Sequence, residues 1–285
     1  MRKRSFNPVR DNFANPNFFT IFALRLRLMS LREIWNKKKK DIPMVLLFMV
    51  VSAMLVGASF LAYHQFVSTP PYVSEERYPI RGIDVSHHNG MMNLDAAAAD
   101  GIDFIFIKAS EGASMRDENF QINYDKAGHA GLKRGAYHFF RFDRDGIVQG
   151  RNLIGAIGDR HLELGVAIDV EKSGNPHDIP LDSIKMHLTD MVDYLILKGY
   201  RVLFYTNRQG YEDYILENYP GFPLWICHFS STPFDADWQF WQYSHHGKVQ
   251  GISTEVDMNV FVGSRKDWEE YLTQFSEDTD DSETL

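Results

Sequence analysis

Two carboxylates one residue apart end an apolar run at Val166-Ala-Ile-Asp-Val-Glu171, a pairing suited to moving a proton while holding a charge beside it. On a strand, side chains two apart point the same way with Cα atoms roughly 6.6 Å apart, so Asp169 and Glu171 should share one face. Leu164, Val166, Ala167, Ile168 and Val170 make the rest of the run hydrophobic, as in a strand buried on both faces of a parallel sheet. Acids there cost folding energy unless something uses them. The plainer reading is a solvated strand end or an ion-paired turn before Lys172-Ser-Gly-Asn-Pro176, and these six residues alone fit it equally well.

The elements that must hold the pair follow from the pattern after Tyr78. Apolar runs predict strands at 82–86, 104–108, 135–140, 164–171, 201–205, 224–228, 239–243 and 255–260, the eight that a closed β/α barrel needs. Between them, Ile184, Leu188, Met191 and Leu195 recur at helical spacing over 181–198, where Gly199 stops the run. Weaker helical patterns cover 119–130 and 147–160. The last three strands are joined by segments too short for crossover helices, so that portion should be irregular or antiparallel. The predicted fold class is therefore α/β, an irregular TIM-like barrel of about 190 residues, small for a full eightfold barrel.

Barrel chemistry sits at the C-terminal ends of the strands. There the chain supplies Asp84, Tyr137 with His138, Asp169 with Glu171, Tyr205, Trp225, Gln242 and Asp257. Carboxylates converging among flat rings is how sugar sites are commonly built, the acids acting on the glycosidic bond and the rings on the pyranose faces.

Six segments carry a resemblance. Arg81-Gly-Ile-Asp-Val-Ser-His-His-Asn-Gly90, Phe104-Ile-Phe-Ile-Lys-Ala-Ser-Glu-Gly112, Gly135-Ala-Tyr-His-Phe139, Ala167-Ile-Asp-Val-Glu171, Trp241-Gln-Tyr243 and Val256-Asp-Met-Asn259 resemble, in order and spacing, glycoside hydrolase family 25, the lysozymes or N-acetylmuramidases. The resemblance covers residues 79–272. It implies cleavage of the β-1,4 bond between N-acetylmuramic acid and N-acetylglucosamine in peptidoglycan, without a cofactor. By position, Glu171 matches the proton donor and Asp169 the acid beside it, while Asp84 and Asp257 match acids flanking the cleft.

Elementary electrostatics fits those roles. Crowding Glu171 against Asp169 and apolar strands should raise its pKa and keep it protonated near neutrality, while Asp169 stays charged. Direct attack by a carboxylate and attack by the substrate's own 2-acetamido group both remain open; placing Asp169 beside Glu171 rather than across the sugar favours the second. A catalytically inactive wall-binding tether and a chitin hydrolase are the rival functions. Against the latter, Leu164 to Ile168 lack the additional aspartates of the chitinase motif.

Other candidates have plainer readings. Tyr137, Tyr205 and Trp225 serve core packing or substrate stacking. Gly82 and Gly90 read as turn residues, and Lys108 with Glu111 as a structural ion pair. His87-His88 and His245-His246 suggest a metal only superficially, since neighbours on a strand point to opposite faces; no metal is expected. Cys227, the single cysteine, cannot form an internal disulfide and reads as buried packing.

Ahead of the barrel, Met44 to Tyr63 is twenty residues without a charge, about 30 Å of helix and the thickness of a hydrocarbon core. Lys37 to Lys40 directly precede it, which places the N-terminus in the cytoplasm and the barrel outside, at an inner cell membrane. A cleaved signal peptide and a core helix fit less well, because the preceding region is long and the stretch has no polar face. The expected organisation is a basic segment at 1–43, amphipathic on lipid or disordered, a transmembrane helix at 44–66, a linker at 67–78, the catalytic barrel at 79–272 and an acidic disordered tail at 273–285. Residues 1–41 hold eleven basic against three acidic side chains, a balance of +8, which leaves −16 for the remainder of a chain whose net charge is −8. A remainder so acidic argues against nucleic acid as a partner. The expected partners are peptidoglycan glycan strands and, through one helix, the membrane; oligomeric state is not readable.

Overall fold

The computed structural model describes residues 16–68, 73–230 and 232–274. The chain divides into two compact units, Met1–Ser68 and Thr69–Leu285. In the first unit, α1 runs without interruption over Pro16–Ser68. Its described large apolar side chains from Met44 to Tyr63 are exposed, Phe48 to 73%. Among the described residues, no helix is long and apolar enough to cross a membrane. Within the expected span 44–66, the side chains of Val45, Ala62 and residues 64–66 lie outside the described ones, as do residues 1–15, 69–72 and nearly all of the expected acidic tail.

The second unit is a closed barrel. In chain order its elements are β1 (Arg81–Val85), a 3₁₀ turn (His87–Asn89), α2 (Leu94–Ala99), β2 (Phe104–Glu111), β3 (Met115–Arg116), α3 (Phe120–His129), β4 (Lys133–Phe139), α4 (Gly146–Ile157) and β5 (Val166–Asp169). There follow α5 (Leu181–Leu197), β6 (Val202–Asn207), α6 (Arg208–Gly210) running into a π-helical turn (Tyr211–Ile215), β7 (Leu224–Cys227), β8 (Phe240–Gly247), β9 (Val256–Phe261) and α7 (Arg265–Thr273). Eight strands close in the order β1-β2-β4-β5-β6-β7-β8-β9, with β9 pairing back to β1 and β3 hanging from β2 as a two-residue hairpin arm. β1, β2 and β4 to β8 run parallel, and β9 is antiparallel to both neighbours. The expected irregular closure is therefore located in one strand.

Strand periodicity sorts the core. Ile105, Ile107, Val166, Ile168, Val202, Phe204, Leu224 and Ile226 face outward into the layer shared with the helices. Their alternating neighbours Phe104, Phe106, Ala167, Leu203, Trp225 and Phe240 fill the barrel interior. Gly82 is not a turn residue as expected but an inward position of β1: a Cβ there would lie 2.3 Å from the Phe104 ring, and one at Gly135 would meet Phe106 equally closely. The two large rings fit because each lies over a glycine registered beside it on the neighbouring strand, Gly82 beside Phe104 and Gly135 beside Phe106. Gly90 does turn the chain, at φ 65°.

The base of the barrel is sealed by α7, which the sequence reading did not anticipate. Ser264 accepts from Asp267 N–H while Asp267 accepts from Ser264 N–H, a capping box. Trp268 and Tyr271 from α7 then pack on Phe104, Phe240 and Phe261. Phe261 N–H donates to Ile80 O and Arg265 to Pro79 O, so the unit's entry and exit are tied together at this end.

Candidate active site

The inward phase of the strands carries the polar residues at the opposite end. Asp84, Tyr137, Asp169, Tyr205, Trp225, Cys227, Gln242 and Asp257, joined by Glu171, Phe229 and His245, line one cavity of about 310 Å³ at the C-terminal mouth. Of the nine residues expected at the strand ends, all but His138 thus meet in one place. Asp257 reaches this rim because β9 is reversed: its first residues, not its last, lie beside the end of β1, and Asp257 registers directly opposite Asp84. His138 faces the other way, buried between Ser110 Oγ at 2.8 Å and Gln149 Oε1 at 3.2 Å, and desolvation lowers its pKa to about 4.

β5 ends at Asp169, so Glu171 stands two residues past the ladder. Both still face the cavity, at different depths: Asp169 is 6% exposed and Glu171 is half-buried. Burial raises the pKa of both. Asp169 is pushed well above the usual carboxylate range, by desolvation and then by the Glu171 charge, with Lys108 pulling it back; Glu171 is raised by desolvation alone. This corrects the expectation that only Glu171 is raised. Depth decides, because the more buried carboxyl loses more hydration. Asp169 Oδ1 is also buried without a hydrogen-bond partner in the protein. Burial thus favours the protonated form at both positions, more strongly at the deeper Asp169.

Asp84 and Asp257 form a second carboxyl pair, within hydrogen-bonding reach of each other. Desolvation raises Asp84 well above its ordinary value, and the Asp257 charge adds to it; desolvation pushes Asp257 up to about 6. Asp84 Oδ2 accepts from Gln242 Nε2 and from Asn259 Nδ2, each at 2.8 Å. Gln242 Oε1 in turn accepts from Tyr205 O–H at 2.8 Å, and Asn259 Oδ1 from the Trp225 indole N–H at 2.7 Å.

These contacts divide the aromatic candidates. Trp225 is 1% exposed and stacks on Phe106 with ring centroids 4.3 Å apart, so it is the floor of the cavity rather than an open sugar platform. Tyr137 and Tyr205 are half-buried walls, set edge-on to Trp225. At the mouth, Phe229 meets the exposed His245 ring edge-on at 4.5 Å.

Several contributors went unread in the sequence. Lys108 is an inward residue above Phe106; its ammonium lies 2.9 Å from Glu111, as the ion-pair reading expected, and also acts on Asp169. Asn259 was visible only inside a motif. Cys227 lines the cavity, and burial pushes its thiol up to about 12, so it is no nucleophile. The histidine pairs depart from the opposite-face expectation. His87 and His88 sit in a 3₁₀ turn with rings 3.9 Å apart, and His245 and His246 lie at a register shift of β8 with rings 4.0 Å apart. Their partners are carboxylates, Asp117 for His87 at 2.7 Å and Glu255 for His246 at 2.6 Å. Among the described residues no group of three or more His, Cys, Asp or Glu is placed to hold a metal.

Residues 83–252 match the family model described as glycosyl hydrolases family 25. The chain is 33% identical over 184 residues to the autolytic lysozyme of Clostridium acetobutylicum, covering 64% of this chain but 56% of that protein. It is 31% identical over 214 residues to the uncharacterized protein YegX of Escherichia coli, covering 70% of this chain and 76% of that one. The solved family 25 glycosyl hydrolase from Bacillus anthracis superposes with a TM-score of 0.66 at 31% identity, over 71% of this chain and 97% of that structure.

Proposed function

The chain belongs to glycosyl hydrolases family 25 and is a glycoside hydrolase, and from that premise we propose that it is a muramidase, cleaving the β-1,4 bond between N-acetylmuramic acid and N-acetylglucosamine in peptidoglycan. The observation that carries this reading is the gathering of four carboxyls whose pKa values burial raises, with aromatic walls and floor, in one sugar-sized cavity at the barrel mouth. Relatives named autolytic lysozyme and Lysozyme M1 support the substrate.

Glu171, the more open member of its pair, donates a proton to the glycosidic oxygen as the C1–O bond breaks. Positive character at C1 is met by the carbonyl oxygen of the sugar's own 2-acetamido group. In the reactive form of the pair the proton sits on Glu171 and Asp169 is ionised, a state that burial opposes and Lys108 favours, and Asp169 orients that group through its N–H. The Glu171 carboxylate then takes a proton from the water that opens the cyclic intermediate, which restores the acid and retains the anomeric configuration. Adjacent placement of the two acids at the end of one strand supports this route over direct carboxylate attack.

The reading includes an anchor. The uncharged run from Met44 to Tyr63, the Lys37 to Lys40 cluster before it and the exposed apolar side chains of α1 support a single membrane helix with a cytoplasmic N-terminus and an extracytoplasmic barrel. Alkaline extraction of membranes tests it: release of the full chain into the soluble fraction rejects the anchor and leaves the enzyme untouched.

The enzymatic claim is tested with the full chain on purified peptidoglycan, following new reducing ends and identifying the sugar at each by mass. Reducing-end muramic acid is expected, and its loss in Glu171→Gln. Glucosamine ends would reject muramidase action, and binding without any release would make the chain a wall tether.

A further inference from the structure

The geometry points to Asp84 and Asp257 working as a single proton-sharing dyad, with Asn259 and Gln242 as positioning residues that bar the proton from Asp84 Oδ2 and confine it between the two carboxyls. The assignment begins at Trp225, whose indole N–H can only donate. Its 2.7 Å contact therefore fixes Asn259 Oδ1 as the acceptor and turns the Asn259 NH₂ group toward Asp84 Oδ2. A second amide arrives at the same oxygen from Gln242, whose own oxygen is engaged by the Tyr205 hydroxyl. An oxygen that faces two N–H donors has no place for a hydrogen of its own. The shared proton is left to Asp84 Oδ1 and the Asp257 carboxyl, which register opposite each other on antiparallel strands.

Both amides stabilise the singly ionised dyad more than the neutral one, since hydrogen bonds to an ionised acceptor are about twice as strong as neutral ones. The second ionisation is held back by the mutual repulsion of the two carboxylates. The ionisable groups facing the dyad are Tyr137 from β4, Asp169 and Glu171 from the end of β5, Tyr205 from β6, Cys227 from β7 and His245 from β8, while Lys108 of β2 directs its charge at Asp169. With few cations in this array, the neutral amides are what makes the dyad's first ionisation accessible. Trp225 and Tyr205 thus act from behind, through the amides, rather than on the sugar.

This inference rests on the muramidase reading only for its kinetic arm. The tests are Asn259→Leu and Gln242→Met, near-isosteric changes that each remove the amide and with it one donor to Asp84 Oδ2, and Trp225→Phe, which keeps a ring against Phe106 but frees the Asn259 amide to flip. In the full chain labelled with [4-¹³C]aspartate, the dyad's first ionisation is expected to move up by about one pH unit in Asn259→Leu and Gln242→Met, and by less in Trp225→Phe. The acid limb of kcat/KM should move by the same amount and in the same direction. A structural role alone would lower activity evenly without moving the limb. Folded variants whose carboxyl titration and acid limb both stay in place would overturn the dyad. An inactive wild type would reject the muramidase reading and still leave the titration to decide this one.

Discussion

The two carboxyl pairs of the cavity are built on opposite plans. Asp84 and Asp257 come from neighbouring antiparallel strands, and Asp84 is clamped by two amides, which are in turn clamped by an indole and a phenol. Asp169 and Glu171 come from one strand end, and the deeper of them keeps an oxygen without a protein partner. A fully satisfied network holds one arrangement, whereas a partly satisfied one is costly and free to respond to what enters. The difference assigns a fixed charge pattern to one side of the sugar site and the moving proton to the other.

That contrast can be broken most directly at Glu171, the proposed proton donor. Glu171→Gln should lower kcat by about 10³-fold, in the range general acids contribute, with KM little changed. Asp257→Asn, on the clamped side, should cost clearly less; an equal loss would erase the distinction between the pairs. Reducing-end assays on both variants at one pH decide it.

Removing the cation beside the responsive pair sharpens the contrast further. Lys108→Met should lower activity at neutral pH roughly tenfold and raise the contribution of Asp169 to the acid limb, beside that of the Asp84–Asp257 dyad, by about one unit, because the cation favours ionised Asp169. A pH–rate profile checks the sign; a limb moving to lower pH would reject it.

Stability supplies a smaller measure. A carboxyl whose folded pKa is raised binds its proton more tightly folded than unfolded, so its penalty is absent below the unfolded value, near 4, and grows as pH rises through the folded one. Asp169→Asn should therefore stabilise the protein at pH 7 by about 1–2 kcal/mol, with the gain vanishing below about pH 4. Denaturant melts at the two pH values test it. Least affected should be Cys227→Ala, whose neutral thiol performs no step; a change beyond about threefold in kcat/KM would mean that the cavity wall matters more than its acids.

The barrel was legible because each strand is an apolar run whose alternate positions face one interior, and Asp84, Asp169 and Asp257 were conspicuous as acids within such runs. Gln242 and Tyr205 entered through the same phase. What depth does to a carboxyl was not legible: Asp169 and Glu171 look alike in sequence, and only the end of the β5 ladder separates them. Lys108 was masked by a nearby Glu111 that accounts for it locally. Trp225 read equally as floor or platform because packing against Phe106 is a contact between strands distant in sequence. The paired histidines defeated the alternation rule because a 3₁₀ turn and a register shift replace regular strand at those points. The sealing helix was signalled by Ser264 and Asp267, a pattern that carries no chemistry and is easily passed over.

Because the barrel is closed by a reversed strand, Ile80 and Phe261 meet at the sealed end, with Pro79 and Arg265 beside them. A bead, fluorophore or solid support coupled near Gln274 would consequently sit on the far pole from the catalytic opening. Immobilised in that orientation, the barrel would turn its mouth away from the support.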